Sequence, residues 1–192
     1  MNCGIVVVGS SWGGVTALVH LLEGLPPDLL SPIVIAQHRG NSPSMLARLL
    51  ERQTHRPVRD VEDKERMAPS TAYLAPAGYH LRVEAPGHRA LSPEGPVRFA
   101  RPSIDVLFES AAVAYRSDVV GVVLTGTNDD GAAGLAAIVA RGGRAVVQDP
   151  ASAERPAMPL AALATGIPAT VLPLEEIGPF IGGLCRPEAI PA

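Results

Sequence analysis

Apolar positions fall in short unbroken blocks separated by polar, glycine-rich joints. Ile5-Val6-Val7-Val8 is wholly apolar and stops at Gly9-Ser10-Ser11-Trp12-Gly13-Gly14. Beyond the glycines, Val15, Leu18, Val19 and Leu22 recur at helical spacing. That pattern predicts strand, tight turn, helix. Pro32-Ile33-Val34-Ile35-Ala36 predicts a second buried strand, ending in Gln37-His38. The next helix is predicted to open near Ser42-Pro43, since Pro suits a first helical turn, with Met45, Leu46, Leu49 and Leu50 on one face.

Residues 57–100 are patterned differently. Tyr73-Leu74-Ala75 and His80-Leu81-Arg82-Val83 alternate and are broken by Pro and Gly, predicting a small antiparallel excursion. Helical periodicity returns over Ser103–Tyr115, with Ser103 as its N-cap. Val119–Leu124 predicts a strand that runs into Thr125-Gly126-Thr127-Asn128-Asp129-Asp130-Gly131 and then a helix through Ala140. Arg144–Val147 predicts another strand, followed by a loop over Gln148–Pro156, a short helix, a strand at Ala169–Leu172 and a closing helix. Wholly apolar strands alternating with helices imply a doubly wound, mostly parallel α/β sheet with helices on both faces. Such sheets bind ligands beyond the carboxyl ends of their strands.

Composition narrows the class. The chain has 192 residues, 47% hydrophobic and 18% charged, which fits one globular domain over 1–192 with a real core. The formal charge is −3 and no basic stripe is present, which gives nucleic-acid binding no electrostatic support. No apolar run approaches the ~18 residues of a membrane span, and no charged region precedes the first apolar block as in a signal peptide. Membrane insertion is therefore not expected. The two cysteines, Cys3 and Cys185, stand at opposite ends and suggest free, buried thiols in a reducing, cytoplasmic compartment. His55, His80 and His88 lack the spacing of a metal site, and no metal is expected.

The candidate chemistry is positional. Ser11 follows the first strand, His38 the second, and Asp129 and Asp130 the Val119–Leu124 strand. In a parallel sheet these loops share one edge. A hydroxyl is a weak nucleophile until a His takes its proton, and a carboxylate holds the imidazole in the needed tautomer. Backbone N–H groups after Ser11, at Trp12 and Gly13, open a helix and could receive an oxyanion. Gly9-Ser10-Ser11-Trp12-Gly13 fits G-x-S-x-G, but the α/β-hydrolase fold places strands before its elbow and orders Ser…Asp…His. This chain runs Ser…His…Asp and starts with its elbow, so that fold is rejected. A dinucleotide site is rejected too: G-x-G-x-x-G is missing, and Gln37-His38 stands where an acidic ribose ligand belongs.

At these residues the chain resembles the catalytic domain of the bacterial chemotaxis receptor methylesterases, the CheB family. The similarity runs from Ile5 to about Ile181. Gly9–Gly14 is similar to the family's serine loop with Ser11 at the nucleophile, and Gln37-His38 to the loop of the general base. Leu124-Thr125-Gly126 followed by Asp129-Asp130-Gly131 is similar to the aspartate loop, which favours Asp130 over Asp129. Arg101-Pro102-Ser103-Ile104-Asp105-Val106-Leu107 resembles a further signature, as does Gln148-Asp149-Pro150 with Glu154 and Met158-Pro159.

The resemblance implies hydrolysis of glutamyl methyl esters on a methyl-accepting chemotaxis receptor or related signalling protein. It also implies deamidation of receptor glutamines by some members, and no cofactor. The chain departs from the family at Trp12, where a small hydroxyl residue is usual, and at Thr127-Asn128, where the loop usually reads Met-Gly. These changes bear on the substrate more than on the triad. Arg101, Thr127, Gln148 and Met158 are expected to line the pocket with Trp12 and Gly13. The chain starts at the catalytic domain's first strand, so control by an attached receiver domain is not expected; constitutive action and regulation by a separate protein are the two alternatives. The alternatives are a catalytically silent binding partner, or an esterase on another substrate.

Overall fold

In the computed structural model, which describes residues 3–39 and 45–185, seven strands form one wholly parallel sheet. β1 (Ile5–Ser10) is central, with β2 (Ile33–Gln37), β4 (Ala72–Leu74) and β3 (Val58–Asp60) on one side. On the other side lie β7 (Val119–Val123), β8 (Arg144–Gln148) and β9 (Thr170–Leu172). The chain leaves β1 in one direction and returns beside it as β7, so the strand order reverses at β1. Doubly wound sheets open their ligand crevice at this switch.

The apolar strand blocks arise because both faces are covered. Val6 and Val8 point to a cluster with α1 (Gly14–Gly24), α2 (Leu46–Thr54) and α6 (Leu174–Leu184), through Leu18, Leu50 and Ile177. Ile5 and Val7 point the other way, toward α3 (Ile104–Tyr115), α4 (Ala132–Ala140) and α5 (Ala157–Ala164), through Phe108, Leu135 and Ala162. The period of two along a strand divides one block between two cores.

Several expectations need correction. The small antiparallel excursion is present, as β5 (His80–Ala85) and β6 (His88–Ser92) form a separate two-stranded hairpin, but β4, expected within it, joins the parallel sheet. β3 pairs with β4 there and was not predicted. The predicted helix start at Ser42-Pro43 lies outside the described residues. In α2, Leu46 and Leu50 are buried, whereas Leu49, and Met45 just before the helix, are exposed. Cys3 and Cys185 are not free thiols but a disulfide, with Cα atoms 4.8 Å apart across a separation of 182 residues. The reason is topological: α6 packs on α1 and returns its end to the start of the central strand. Free thiols therefore no longer argue for a reducing compartment. Among the described residues no helix is long and apolar enough to cross a membrane.

Candidate active site

The parallel register sets the carboxyl ends of β1, β2 and β7 side by side: Ser10 pairs with Gln37, and Gly9 with Val123. Backbone bonds then fasten the three loops. Ser11 N–H donates to Thr125 O and His38 N–H to Ser10 O, each at 3.0 Å. Buried Gln37 donates from Nε2 to Ser11 O and His38 O, both at 2.8 Å. Ser11 and His38 are thus held by a side chain whose amide has no freedom to leave.

His38 Nε2 stands 2.7 Å from Asp130 Oδ2. Asp130 Oδ1 accepts from Ser103 Oγ at 2.9 Å and from Asp105 N–H at 3.0 Å, and Oδ2 accepts from Ile104 N–H at 2.7 Å. Two of these donors are the first amides of α3, so the buried carboxylate caps the positive end of a helix. Burial pushes the Asp130 carboxyl up. Hydrogen bonds from His38 and from the Asp105 and Ile104 amides outweigh it and hold the group below its ordinary value. Asp129 is exposed and pairs with Arg98 instead. Of the two candidate aspartates, Asp130 is the one placed against His38.

With Nε2–H given to Asp130, the lone pair of a neutral His38 lies on Nδ1. Asn128 Nδ2 is 3.5 Å from that atom, and Asn128 Oδ1 accepts Asp130 N–H at 3.3 Å. Among the described residues Ser11 Oγ and His38 share no hydrogen bond; without substrate such bonds are commonly long and tighten on binding. Ser11 sits in the turn before α1, where Gly14 N–H bonds Ser11 O at 2.9 Å and Gly13 takes φ 78°. The Trp12 and Gly13 amides donate to no acceptor among the described residues. They are the unpaired donors of a helix start, which makes them candidates to receive an oxyanion.

The other predicted site residues divide. Trp12 is 60% exposed beside Ser11, its Nε1 donating to Glu154 at 3.0 Å and its ring facing the Arg155 guanidinium at 5.7 Å. Arg101 lines a cavity of ≈ 550 Å³ next to His38, Arg39 and Asn128, while donating to Pro93 O and Glu94 O at 3.1 and 3.0 Å. Thr127 is exposed on the aspartate loop. Gln148 and Met158 are each 1% exposed, and neither borders the cavity that His38, Asn128 and Arg101 share. Gln148 accepts from Thr125 N–H at 2.9 Å and donates to Ser152 O at 3.1 Å, joining two loops. Met158 packs where a Cβ on Gly126 would fall, 1.9 Å from its Sδ and 2.8 Å from Ser11 Cβ. Only glycine lets the aspartate loop pass so close behind the serine.

Two residues of this site were not predicted. Asp105 Oδ1 accepts from Gly131 N–H at 2.9 Å and Gly134 N–H at 2.7 Å, fixing the loop that carries Asp130. Burial raises its carboxyl above the ordinary value, aided by the charge of Asp130 and opposed by the Gly134 bond. An acidic residue in the first turn of α3 was the available signal. His80, fully buried, accepts Ser103 N–H at 3.1 Å on Nδ1 and bonds Gly95 O at 2.9 Å through Nε2. No pattern in the sequence marks it, because both partners are distant backbone atoms.

Residues 6–181 match the CheB methylesterase family. A relative from Leptospira interrogans, whose name describes a protein-glutamate methylesterase/protein-glutamine glutaminase, is 43% identical over 178 residues, 92% of either chain. The protein-glutamate methylesterase/protein-glutamine glutaminase 2 of Caulobacter vibrioides is 41% identical over 188 residues, covering 94% of this chain and 54% of that one. The crystal structure of the Thermotoga maritima CheB methylesterase catalytic domain superposes with a TM-score of 0.88 at 31% identity, covering 94% of this chain and 97% of the other. With matching sequence and fold, this chain belongs to the CheB methylesterase family.

Proposed function

We propose that the protein is a serine esterase that hydrolyses glutamyl methyl esters on a chemotaxis receptor or related signalling protein in the cytoplasm. One observation carries the reading: a His38–Asp130 pair at 2.7 Å, its carboxylate buried among three further donors, at the sheet edge that carries Ser11. Ser11 Oγ attacks the ester carbonyl while His38 Nδ1 takes the hydroxyl proton. Asp130 keeps the other ring proton on Nε2 and stabilises the imidazolium. The Trp12 and Gly13 amides receive the oxyanion. Collapse of the tetrahedral adduct breaks the C–O bond, and His38 returns the proton so that methanol leaves. Water then attacks the acyl-serine by the same route, giving a glutamate carboxylate and free Ser11. A glutamine substrate follows the same path with ammonia leaving.

The test is methanol release from methylated receptor cytoplasmic fragments, with Ser11→Ala in parallel. Release by the parent alone supports the reading; equal release by both removes Ser11 as the nucleophile. His38→Ala is expected to lower turnover ~10²-fold or more. A silent binding protein is the second reading, favoured by the bulky, exposed Trp12 directly after Ser11. Fluorophosphonate labelling separates the two: an activated Ser11 is labelled, and a silent one is not.

A further inference from the structure

Val97 and Ala100 exchange both backbone hydrogen bonds, at 3.1 and 2.8 Å, around a two-residue turn of Arg98 and Phe99. Both turn residues have positive φ, 49° and 64°, as a type I′ turn requires. Such turns normally carry Asn-Gly. A bulky residue in this region is strained, and strain of this kind concentrates where a protein engages ligands. Arg98 has a reason to be there: it pairs with Asp105 at 3.1 Å and with Asp129, tying the turn to the loop of Asp130. Phe99 has no such reason. Its side chain is 104% exposed, yet it borders the ≈ 550 Å³ cavity that His38, Asn128 and Arg101 share. Arg101, on the same wall, meets only carbonyl oxygens among the described residues, so no carboxylate matches its charge.

We propose that the Arg98-Phe99 turn is the dock for the protein substrate. Phe99 seats an apolar side chain of an acidic polypeptide segment flanking the reactive glutamyl ester, and Arg101 supplies the matching charge. This rests on the esterase reading above and adds how the enzyme tells a protein substrate from a small ester. Arg98's ion pairs hold the anchor at a fixed position relative to His38, so docking delivers the ester to the serine without reordering the turn.

The test compares kcat/KM for a methylated receptor fragment with kcat/KM for p-nitrophenyl acetate. In Phe99→Ala the ratio of the two is expected to fall about tenfold or more, the worth of burying one aromatic side chain. Phe99→Leu should restore most of it. Phe99→Gly relaxes the turn while keeping the ion pairs of Arg98, so it should raise the thermal midpoint while lowering the same ratio. A ratio within about threefold of the parent in both Phe99→Ala and Phe99→Gly overturns the proposal. A parent that cleaves the small ester but no receptor fragment overturns the receptor reading, and the dock with it.

Discussion

Replacing Asp130 by Asn changes one atom and should damage both folding and turnover. Each carboxylate oxygen accepts two hydrogen bonds: Oδ1 from Ser103 Oγ and Asp105 N–H, Oδ2 from Ile104 N–H and His38 Nε2. Asn keeps one oxygen. With its NH₂ at the Oδ1 place, the Asp105 amide faces a donor. With NH₂ at the Oδ2 place, the Ile104 amide does, and His38 must move its proton to Nδ1 to accept. Either orientation strands one buried backbone N–H, at about 1–3 kcal/mol, and turns charged hydrogen bonds into weaker neutral ones. A loss of about 2–4 kcal/mol follows, read from urea unfolding at pH 7. In the second orientation the base atom is gone, and a wrong tautomer costs ~10⁴-fold in a Ser-His-Asp site. The folded pKa of Asp130 is depressed, so its contribution is full above the unfolded value of about 3.9 and is lost as pH falls through the lower folded value. The gap between parent and variant should therefore narrow in strong acid. A variant within about 1 kcal/mol of the parent at pH 7 and within tenfold in kcat would refute both the anchoring and the tautomer argument.

Asp105 should behave with the opposite sign. Asp105→Ala strands the Gly131 and Gly134 amides and should cost about 2–5 kcal/mol, whereas Asp105→Asn keeps an oxygen for both and should stay within about 1 kcal/mol. Its folded pKa is raised, so its favourable contribution is full below about 3.9 and lost as pH rises through the folded value; Asp105→Asn should gain on the parent over that rise in unfolding titrations. Gly126→Ala drives a methyl into Met158 and Ser11, and should lose about 1–3 kcal/mol in thermal unfolding together with esterase activity. Trp12→Ser removes a ring fixed by Glu154, and should raise rates on bulky p-nitrophenyl esters relative to the acetate; unchanged relative rates would show that Trp12 does not narrow the site.

The long strands were legible because burial on both faces demands unbroken apolar blocks, and β1, β2 and β7 have them. β3 was not, since two of its three residues are exposed and polar, leaving no period to read. β4 is as short, and the choice between hairpin and sheet depends on partners 14 or more residues away, Val58 and Ile33 among them. At the site, strand order alone brought Ser11, His38 and an aspartate to one edge. Polar residues there that serve structure look the same in sequence as those that face substrate. Gln148 and Met158, expected at the pocket wall, are found buried, while Asp105 and His80 went unassigned. Cys3 and Cys185 were misread because separation along the chain says nothing of where a sheet's central strand begins.

That disulfide gives the described chain the connectivity of a ring. With the Cα atoms of residues 3 and 185 at 4.8 Å, little more than one peptide step, a short linker there could replace the sulfur bridge. New ends could then be opened at the turn around Gly78, where an added Cβ would meet nothing within 4 Å. In such a circular permutant the chain order Ser11, His38, Asp130 would become Asp130, Ser11, His38, while their places in space would not change. The chemistry belongs to the sheet edge, and the order in which the ribosome delivers its three loops is incidental to it.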